Sequence, residues 1–367
     1  MDDHHNRKIL FNEESYKKLK NYLFDNQIDI GNLFILVDNC TNKHCLPILF
    51  SHLNFLKKSK IIKIQSGEKE KNISTCIQIW KNLEIFKANR KSLIINLGGG
   101  VITDIGGFVA SVFKRGIRFI NIPTTLLGMV DASIGCKTGV NLESIKNEIG
   151  SFYCPDLLII DPHYLKTLPK KEIISGMSEM FKHGLIADKN FWINMKKYYY
   201  QMDNKKKNEN QWNHLIYQSI LIKNKIVKKD PKEKGLRKTL NFGHTIGHAL
   251  ESYFMNDSSQ EKLLHGLAIS IGMICESWIS YKINGLSIDD YEEIKSILSV
   301  LLYPNPIEKI SNLEIDIDKI FLIMEHDKKN EKNKIQFSLL KKIGICSYNC
   351  QVPYSLIKES ILQIQKL

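Results

Sequence analysis

Leu93-Ile94-Ile95-Asn96-Leu97-Gly98-Gly99-Gly100-Val101-Ile102-Thr103-Asp104 is the stretch that decides the fold of this 367-residue chain. Its first half is a short apolar run rich in β-branched residues, the pattern of a buried strand. Three consecutive glycines interrupt the run, and helical spacing follows from Ile105 to Phe113. Strand, glycine turn and helix in that order open a βαβ unit. The glycines also clear side chains from a helix N-terminus, where a diphosphate is favoured. The spacing is not GxGxxG, so the triplet read alone is also consistent with a bare turn. Leu93 to Phe113 is apolar enough to suggest a membrane span, but Asn96, Asp104 and the glycines at 98–100 and 106–107 argue against one.

The same alternation extends outward. Leu33–Val37, Ile61–Ile64, Phe119–Ile122 and Leu157–Ile160 read as further strands, with Ile73–Phe86 as an intervening helix. Such alternation predicts a parallel sheet with helices on its faces. From Pro169 the pattern changes to long helical stretches: Glu172–Ala187, His214–Lys229, Thr239–Phe254, Leu263–Ile283, Tyr291–Leu301 and a tail helix after Pro353. Ile335–Leu340 is a lone strand candidate, and Lys205–Asn210 and Lys328–Lys334 read as charged loops or solvated helix ends. The chain exceeds the size at which one core keeps growing. Two domains are expected, 1–168 and 169–367.

Composition is that of an ordinary globular protein, with 43% hydrophobic and 25% charged residues. The formal net charge of +13 comes from scattered lysines accompanied by Asn and Ile. No basic stripe interleaved with aromatics is present, so neither nucleic acid nor a membrane is expected as a partner. The eight cysteines form no CxxC pair and no zinc-finger spacing, so free thiols in a reducing cytoplasm are expected.

Several residue sets carry chemistry. His244 and His248 stand four apart in Asn241-Phe242-Gly243-His244-Thr245-Ile246-Gly247-His248, on one helix face, and His265 opens the next apolar run. Thr245 follows the first histidine where a zincin has Glu, which removes that protease mechanism. Glu179 and Lys182 are three apart and share a helix face. By themselves they fit a surface ion pair, but their flanks are largely apolar. Glu179, His244 and His265 would make a three-ligand site with positions left for substrate. Asp38 and Glu68 follow strands, where a carboxylate suits a ribose hydroxyl or a plain surface turn. The segment carrying Asp131, Lys137, Lys146 and Asn147 is a solvated connection or the wall of an anionic, hydroxylated ligand's site.

Taken together these strings resemble 3-dehydroquinate synthase over nearly the whole chain, most densely from Gly98 to Gly184 and from Gly235 to Gly272. The resemblance implies a Rossmann-like α/β nucleotide-binding domain, an all-α metal and substrate domain, and an active site in the cleft between them. It also implies a cytoplasmic homodimer with bound NAD and Zn2+ or Co2+. Its substrate would be 3-deoxy-D-arabino-heptulosonate 7-phosphate, a small sugar phosphate, converted to 3-dehydroquinate and phosphate. The route is transient oxidation, phosphate elimination, reduction and intramolecular aldol closure.

By motif the resemblance implies Glu179, His244 and His265 as metal ligands. It implies Asp38, Glu68, Lys71, Gly99, Gly100, Val101, Asp104, Thr124, Thr125 and Lys146 as NAD contacts. Arg115, Asp131, Lys137, Asn147, Lys182, Lys223, Arg237, Asn241 and Lys329 (or Lys328) fall at substrate positions. Glu233 and His248 fall at proton-transfer positions, and Lys137 is grouped with the catalytic set. The chain departs from the family pattern at Cys40, Thr103, Cys136, Ile145, Pro231 and Leu267, none of which is a proposed ligand or charged contact. Related readings are another sugar-phosphate cyclase and a metal-dependent polyol dehydrogenase.

Overall fold

The computed structural model describes residues 8–143, 145–201, 209–255, 263–302, 316–325 and 335–363, which form two compact units divided between Ile173 and Ile174. The first unit is built on a six-stranded parallel sheet. Its strands are β1 (Lys8–Phe11), β2 (Leu33–Asp38), β3 (Lys60–Ile64), β4 (Leu93–Gly98), β5 (Arg118–Pro123) and β8 (Leu157–Ile160). Their spatial order is β1-β8-β5-β4-β2-β3, and every neighbouring pair is parallel. The central strands are buried along nearly their full length, which is why they read as unbroken apolar runs.

The first unit's helices are α1 (Glu14–Asp25), α2 (Asn39–His44), α3 (Leu46–His52), α4 (Ile73–Ile85) and α5 (Gly100–Val112). Ile79, Leu83, Ile105 and Val109 from α4 and α5 join Leu36 and Ile94 in one buried cluster. The triplet Gly98–Gly100 is the end of β4 and the start of α5, as its sequence indicates. Among the described residues, no helix is long and apolar enough to cross a membrane.

The segment between Lys137 and Phe152 is more ordered than a solvated connection. It forms an antiparallel hairpin, β6 (Lys137–Leu142) and β7 (Ile145–Phe152). Thr138 and Ser151 pair through their hydroxyls at 2.8 Å, and Ser151 Oγ donates to Ser111 Oγ of α5 at 2.8 Å. This pairing overturns the expectation of free thiols at two positions, because it closes with Lys137 opposite Phe152 and brings the flanking Cys136 and Cys154 together as a disulfide with Cα atoms 4.3 Å apart. The other six cysteines are free.

The second unit is mostly helical. It comprises most of α6 (Lys170–Ala187), then α7 (Lys189–Gln201), α8 (Glu209–Lys229), α9 (His244–Met255), α10 (His265–Ile283), α11 (Ile288–Leu302), α12 (Ile317–Glu325) and α13 (Tyr354–Leu362). The expectation of an all-α domain fails at β9 (Phe337–Lys342) and β10 (Ile345–Cys350), an antiparallel hairpin turning at Gly344 with φ +90°. Phe337–Leu340 is buried and shows a strand pattern, whereas β10 mixes exposed polar residues and gives no such signal. The expected helix over Thr239–Phe254 is two pieces, a 3-10 turn at Leu236–Asn241 and then α9, separated at Gly243 with φ +78°.

Helix α10 is apolar nearly all round, with Ala268, Ile269, Ile271, Met273, Ile274 and Ile279 fully buried, so it is the central helix of the unit. Glycines set how closely its neighbours approach. A Cβ at Gly272 would lie 2.0 Å from the Gly243 carbonyl oxygen, and one at Gly266 would lie 2.0 Å from that of Ser175. These two contacts draw α9 and α6 onto α10.

Candidate active site

In the first unit the strand order reverses between β2 and β4, and the crevice beyond the strand ends at such a point is where open α/β sheets bind ligands. Asp38 ends β2 there and Gly98–Gly100 leave β4. Gly99 precedes α5 without a side-chain cap, so the first N–H groups of the helix point outward as donors. Thr124 at the end of β5 donates its N–H to the Gly98 carbonyl at 3.0 Å. A Cβ on Gly99 would sit 2.9 Å from Thr125 Cγ2, and one on Gly100 would sit 3.2 Å from Ala132 Cβ. The glycines therefore let Thr124, Thr125 and the start of α5, with Val101 in its first turn, crowd one edge.

Lys71 is buried, with its ammonium 2.5 Å from Asp104 Oδ2, and it also donates to the side chain of Asn147. Burial raises the Asp104 carboxyl above its ordinary range, and Lys71 works against that shift. Glu68 accepts from Asn141 Nδ2 at 3.0 Å. Glu68, Lys71, Asp104 and Asn147 are thus linked through α5 and the β6–β7 hairpin. Asp38 has a structural duty as well, capping α2 through the Thr41 N–H at 2.7 Å. Lys137 and Lys146 stand on the hairpin, and Asp131 lies in a π turn at Gly128–Ala132. Arg115 has φ +70° in a sharp turn with Lys114 and Gly116, both also at positive φ.

The second unit gathers the histidines. Glu179 is 0% exposed, and its Oε1 lies 3.6 Å from His244 Nε2 and 3.8 Å from His265 Nε2. Neither Glu179 oxygen has a hydrogen bond of normal geometry, although Oε2 lies against the Lys182 ammonium. Lys182 is 1% exposed, so the ion pair is a core feature rather than a surface one.

The His244 ring places Nδ1 3.1 Å from the Phe242 carbonyl oxygen. A carbonyl only accepts, so Nδ1 carries the proton and Nε2 presents its lone pair toward Glu179. His265 Nδ1 faces Glu251 Oε2 at 3.3 Å, which turns its Nε2 the same way. A histidine oriented by a carboxylate through its far nitrogen is a common metal-site arrangement. His248 joins the group, with one donor atom from each of the three histidines within 4.8 Å of the others. Two imidazole nitrogens beside an incompletely bonded, fully buried carboxylate form a donor set that suits zinc and similar divalent ions.

Asn241 Nδ2 donates to Glu233 Oε1 at 2.8 Å, so two residues singled out separately in the sequence are partners. Lys223 and Arg237 are both buried, and Arg237 Nη1 donates to the Pro231 carbonyl at 2.6 Å. Lys328 and Lys329 lie outside the described residues.

Two important residues escape the sequence reading. Glu251 closes the histidine segment seven residues after His244, which places it on the same helix face. Asp230 organises the loop that carries Glu233 and Arg237, accepting the N–H groups of Lys234, Gly235 and Arg237 at 2.9, 2.7 and 3.0 Å. Its only sequence signal is the turn-prone Asp230-Pro231 step. Desolvation works to raise the Asp230 carboxyl, and those three N–H groups outweigh it and hold the group below its ordinary 3.8. A depressed carboxylate contributes stability that is complete above its unfolded value and lost as pH falls through the folded one. Asp230→Asn is therefore expected to flatten the pH dependence of urea stability below about pH 4 while leaving the neutral-to-alkaline part of the profile parallel to wild type. An unchanged acid limb would show that the loop does not depend on this charge.

A family model described as 3-dehydroquinate synthase N-terminal matches residues 61–175, and one described as 3-dehydroquinate synthase C-terminal matches residues 176–330. A 3-dehydroquinate synthase of Parabacteroides distasonis is 39% identical over 357 residues, covering 97% of this chain and 96% of that protein. The fold resembles that of 2-epi-5-epi-valiolone synthase from Streptomyces hygroscopicus subsp. jinggangensis, solved with NAD+ and Zn2+ bound. That match has a TM-score of 0.85 and 22% identity, and covers 98% of this chain and 97% of the other. A 2-deoxy-scyllo-inosose synthase, solved with carbaglucose-6-phosphate, NAD+ and Co2+, matches at a TM-score of 0.78 and 25% identity, covering 97% of this chain and 96% of the other.

Proposed function

The chain belongs to the 3-dehydroquinate synthase family, and from that membership we propose how its residues share the work of the reaction. The activity is conversion of 3-deoxy-D-arabino-heptulosonate 7-phosphate to 3-dehydroquinate and phosphate, a phosphorus–oxygen lyase reaction of the shikimate pathway. The observation that carries the assignment is the convergence of Glu179 Oε1 with the Nε2 atoms of His244 and His265.

Glu179, His244 and His265 would hold the divalent ion, Zn2+ or Co2+. The glycine-lined start of α5, with Asp38, Glu68, Lys71, Asp104, Thr124, Thr125 and Lys146, would hold NAD. When bound, NAD supplies reversible hydride exchange at a carbinol carbon and the ion polarises that carbon's oxygen.

The chain's own groups do the rest. The substrate carries a carboxylate and a phosphate, and Lys137, Lys223, Arg237 and Arg115 supply cations that bind such anions through charge-assisted hydrogen bonds. The burial of Lys223 and Arg237 strengthens such contacts, because little water screens them. Asp131, Asn147 and Asn241 offer neutral or acidic partners for hydroxyls. Lys182 is assigned to the substrate while also neutralising Glu179. Glu233 and His248 are assigned to proton transfer, and the Asn241 hydrogen bond orients the Glu233 carboxylate. In this reading the enzyme works as a cytoplasmic homodimer. The exposed Ile77, Ile85 and Val112 of α4 and α5 offer apolar surface for a second copy.

The test is to supply the purified protein with the heptulosonate 7-phosphate, NAD and zinc, and to follow phosphate and NADH together. Phosphate release without accumulating NADH is expected. Stoichiometric NADH without phosphate would overturn the assignment in favour of a dehydrogenase. Phosphate release from other sugar phosphates alone would move it to another cyclase.

A further inference from the structure

Glu276 is a fully buried carboxylate on α10 that none of the roles above uses. Its Oε2 accepts the Gly243 N–H at 2.7 Å, and its Oε1 accepts those of Thr245 and Ile246 at 3.1 and 3.2 Å. These three donors bracket His244, the first residue of α9. A helix leaves its first N–H groups without intrahelical acceptors. A Ser, Thr, Asp or Asn just before the helix normally supplies one.

Here that position is Gly243, which has no side chain to offer. Its φ is +78°, and a Cβ there would lie 2.4 Å from Met273 Cγ and 3.0 Å from the Ile269 carbonyl oxygen. The close approach of α9 to α10 thus excludes a local cap and at the same time brings Glu276 within reach. A buried anion at this point is favoured by charge-assisted hydrogen bonds and by the positive end of the helix.

We infer that Glu276 is a positioning residue for the metal site, acting through His244. It fixes the backbone on both sides of that histidine, and the Phe242 carbonyl then fixes the ring. Together they set where Nε2 stands relative to Glu179, 3.6 Å away. The inference rests on the assignment of His244 as a metal ligand.

Zinc and cobalt binding test it directly. In Glu276→Gln one of the two side-chain atoms facing these N–H groups becomes a donor, so at least one of the three bonds is lost, and the charge with it, with little change in size. The dissociation constant for zinc is expected to rise about 10- to 100-fold, the usual effect of removing a partner that supports a metal ligand. The visible absorption spectrum of the cobalt-loaded protein is expected to shift, reporting a distorted ligand set. Glu276→Asp keeps the charge with a shorter reach and should lie between wild type and the Gln variant. It also carries the test if the Gln variant does not fold.

A folded Glu276 variant with lower stability but wild-type zinc affinity and an unchanged cobalt spectrum would overturn the inference, leaving only a structural cap. His244→Ala is measured alongside. Unchanged zinc affinity there would refute the ligand assignment itself, whereas loss in His244→Ala with retention in the folded Glu276 variants refutes only the role of Glu276.

Discussion

Glu179→Gln is expected to lose bound zinc and to lower turnover by about a thousandfold. A catalytic metal supplies several kcal/mol of transition-state charge stabilisation, and about 4 kcal/mol corresponds to roughly three decades in rate. The same change leaves the Lys182 ammonium buried without its countercharge. Breaking a buried ion pair from one side costs on the order of 3–5 kcal/mol. The two effects are separable in Glu179→Leu/Lys182→Met, which removes both charges. Urea stability should recover in that protein, whereas zinc content and turnover should not. Stoichiometric zinc in Glu179→Gln would remove this residue from the ligand set.

Gly266→Ala carries the second large effect. Its new Cβ would lie 2.0 Å from the Ser175 carbonyl oxygen and 2.5 Å from the Ser175 carbonyl carbon. Both are backbone atoms, so the overlap is relieved only by moving α10 away from α6. Overpacking a core costs about 1–3 kcal/mol where side chains can adjust, and a backbone clash belongs at or above the upper end. The Gly266 N–H also donates to Ser175 Oγ at 3.0 Å, and that bond would stretch with the displacement. His265 precedes this residue and Glu179 lies one turn beyond Ser175, so the same movement separates two of the proposed ligands. Urea denaturation and zinc content both report it. Wild-type zinc affinity in a destabilised Gly266→Ala protein would mean that the ligands re-form after the helices shift.

The sheet was legible because each central strand is buried on both faces, so its sequence is an unbroken apolar run bounded by turn residues. The edge strand β1 was missed, since Lys8-Ile9-Leu10-Phe11 is too short to stand out. The β6–β7 hairpin was missed because its apolar residues are scattered among polar ones and the glycines at 139 and 150, which leaves no apolar run. With it went the Cys136–Cys154 disulfide, whose partners meet only once the strands pair. In the second unit the long helices were plain from their periodicity. The break before α9 was not, because an isolated glycine such as Gly243 inside a helical pattern is compatible with a continuous helix.

The candidate site divides in the same way. The His244 and His248 spacing is a local regularity and is visible without a structure. Glu179 is distant in sequence, and only its apolar flanks hinted that a carboxylate there was unusual. The carboxylates that hold the site in shape carry no comparable signal. Asp230 and Glu276 act on backbone N–H groups of segments whose sequences do not announce a need for them. For Asp230 the partners lie in its own loop, whereas for Glu276 they are set by the approach of α9 to α10, which depends on Gly243 and Gly272.

The incomplete hydrogen bonding of Glu179 also has a thermodynamic consequence. A carboxylate held in the core without full hydrogen bonding raises the free energy of the ion-free protein, and the ion relieves that deficit only in the folded state. Binding and folding are then linked, and the midpoint of heat unfolding becomes a function of free zinc concentration. Zinc at a hundred times its dissociation constant adds about 2.7 kcal/mol to the folded state. Because the proposed ligands come from α6, α9 and α10, this linkage would act as a reversible fastening of three helices that the chain brings together from far apart in sequence. Chelation should therefore loosen this unit first, and the unfolding temperature would serve as a gauge of how much metal the protein holds.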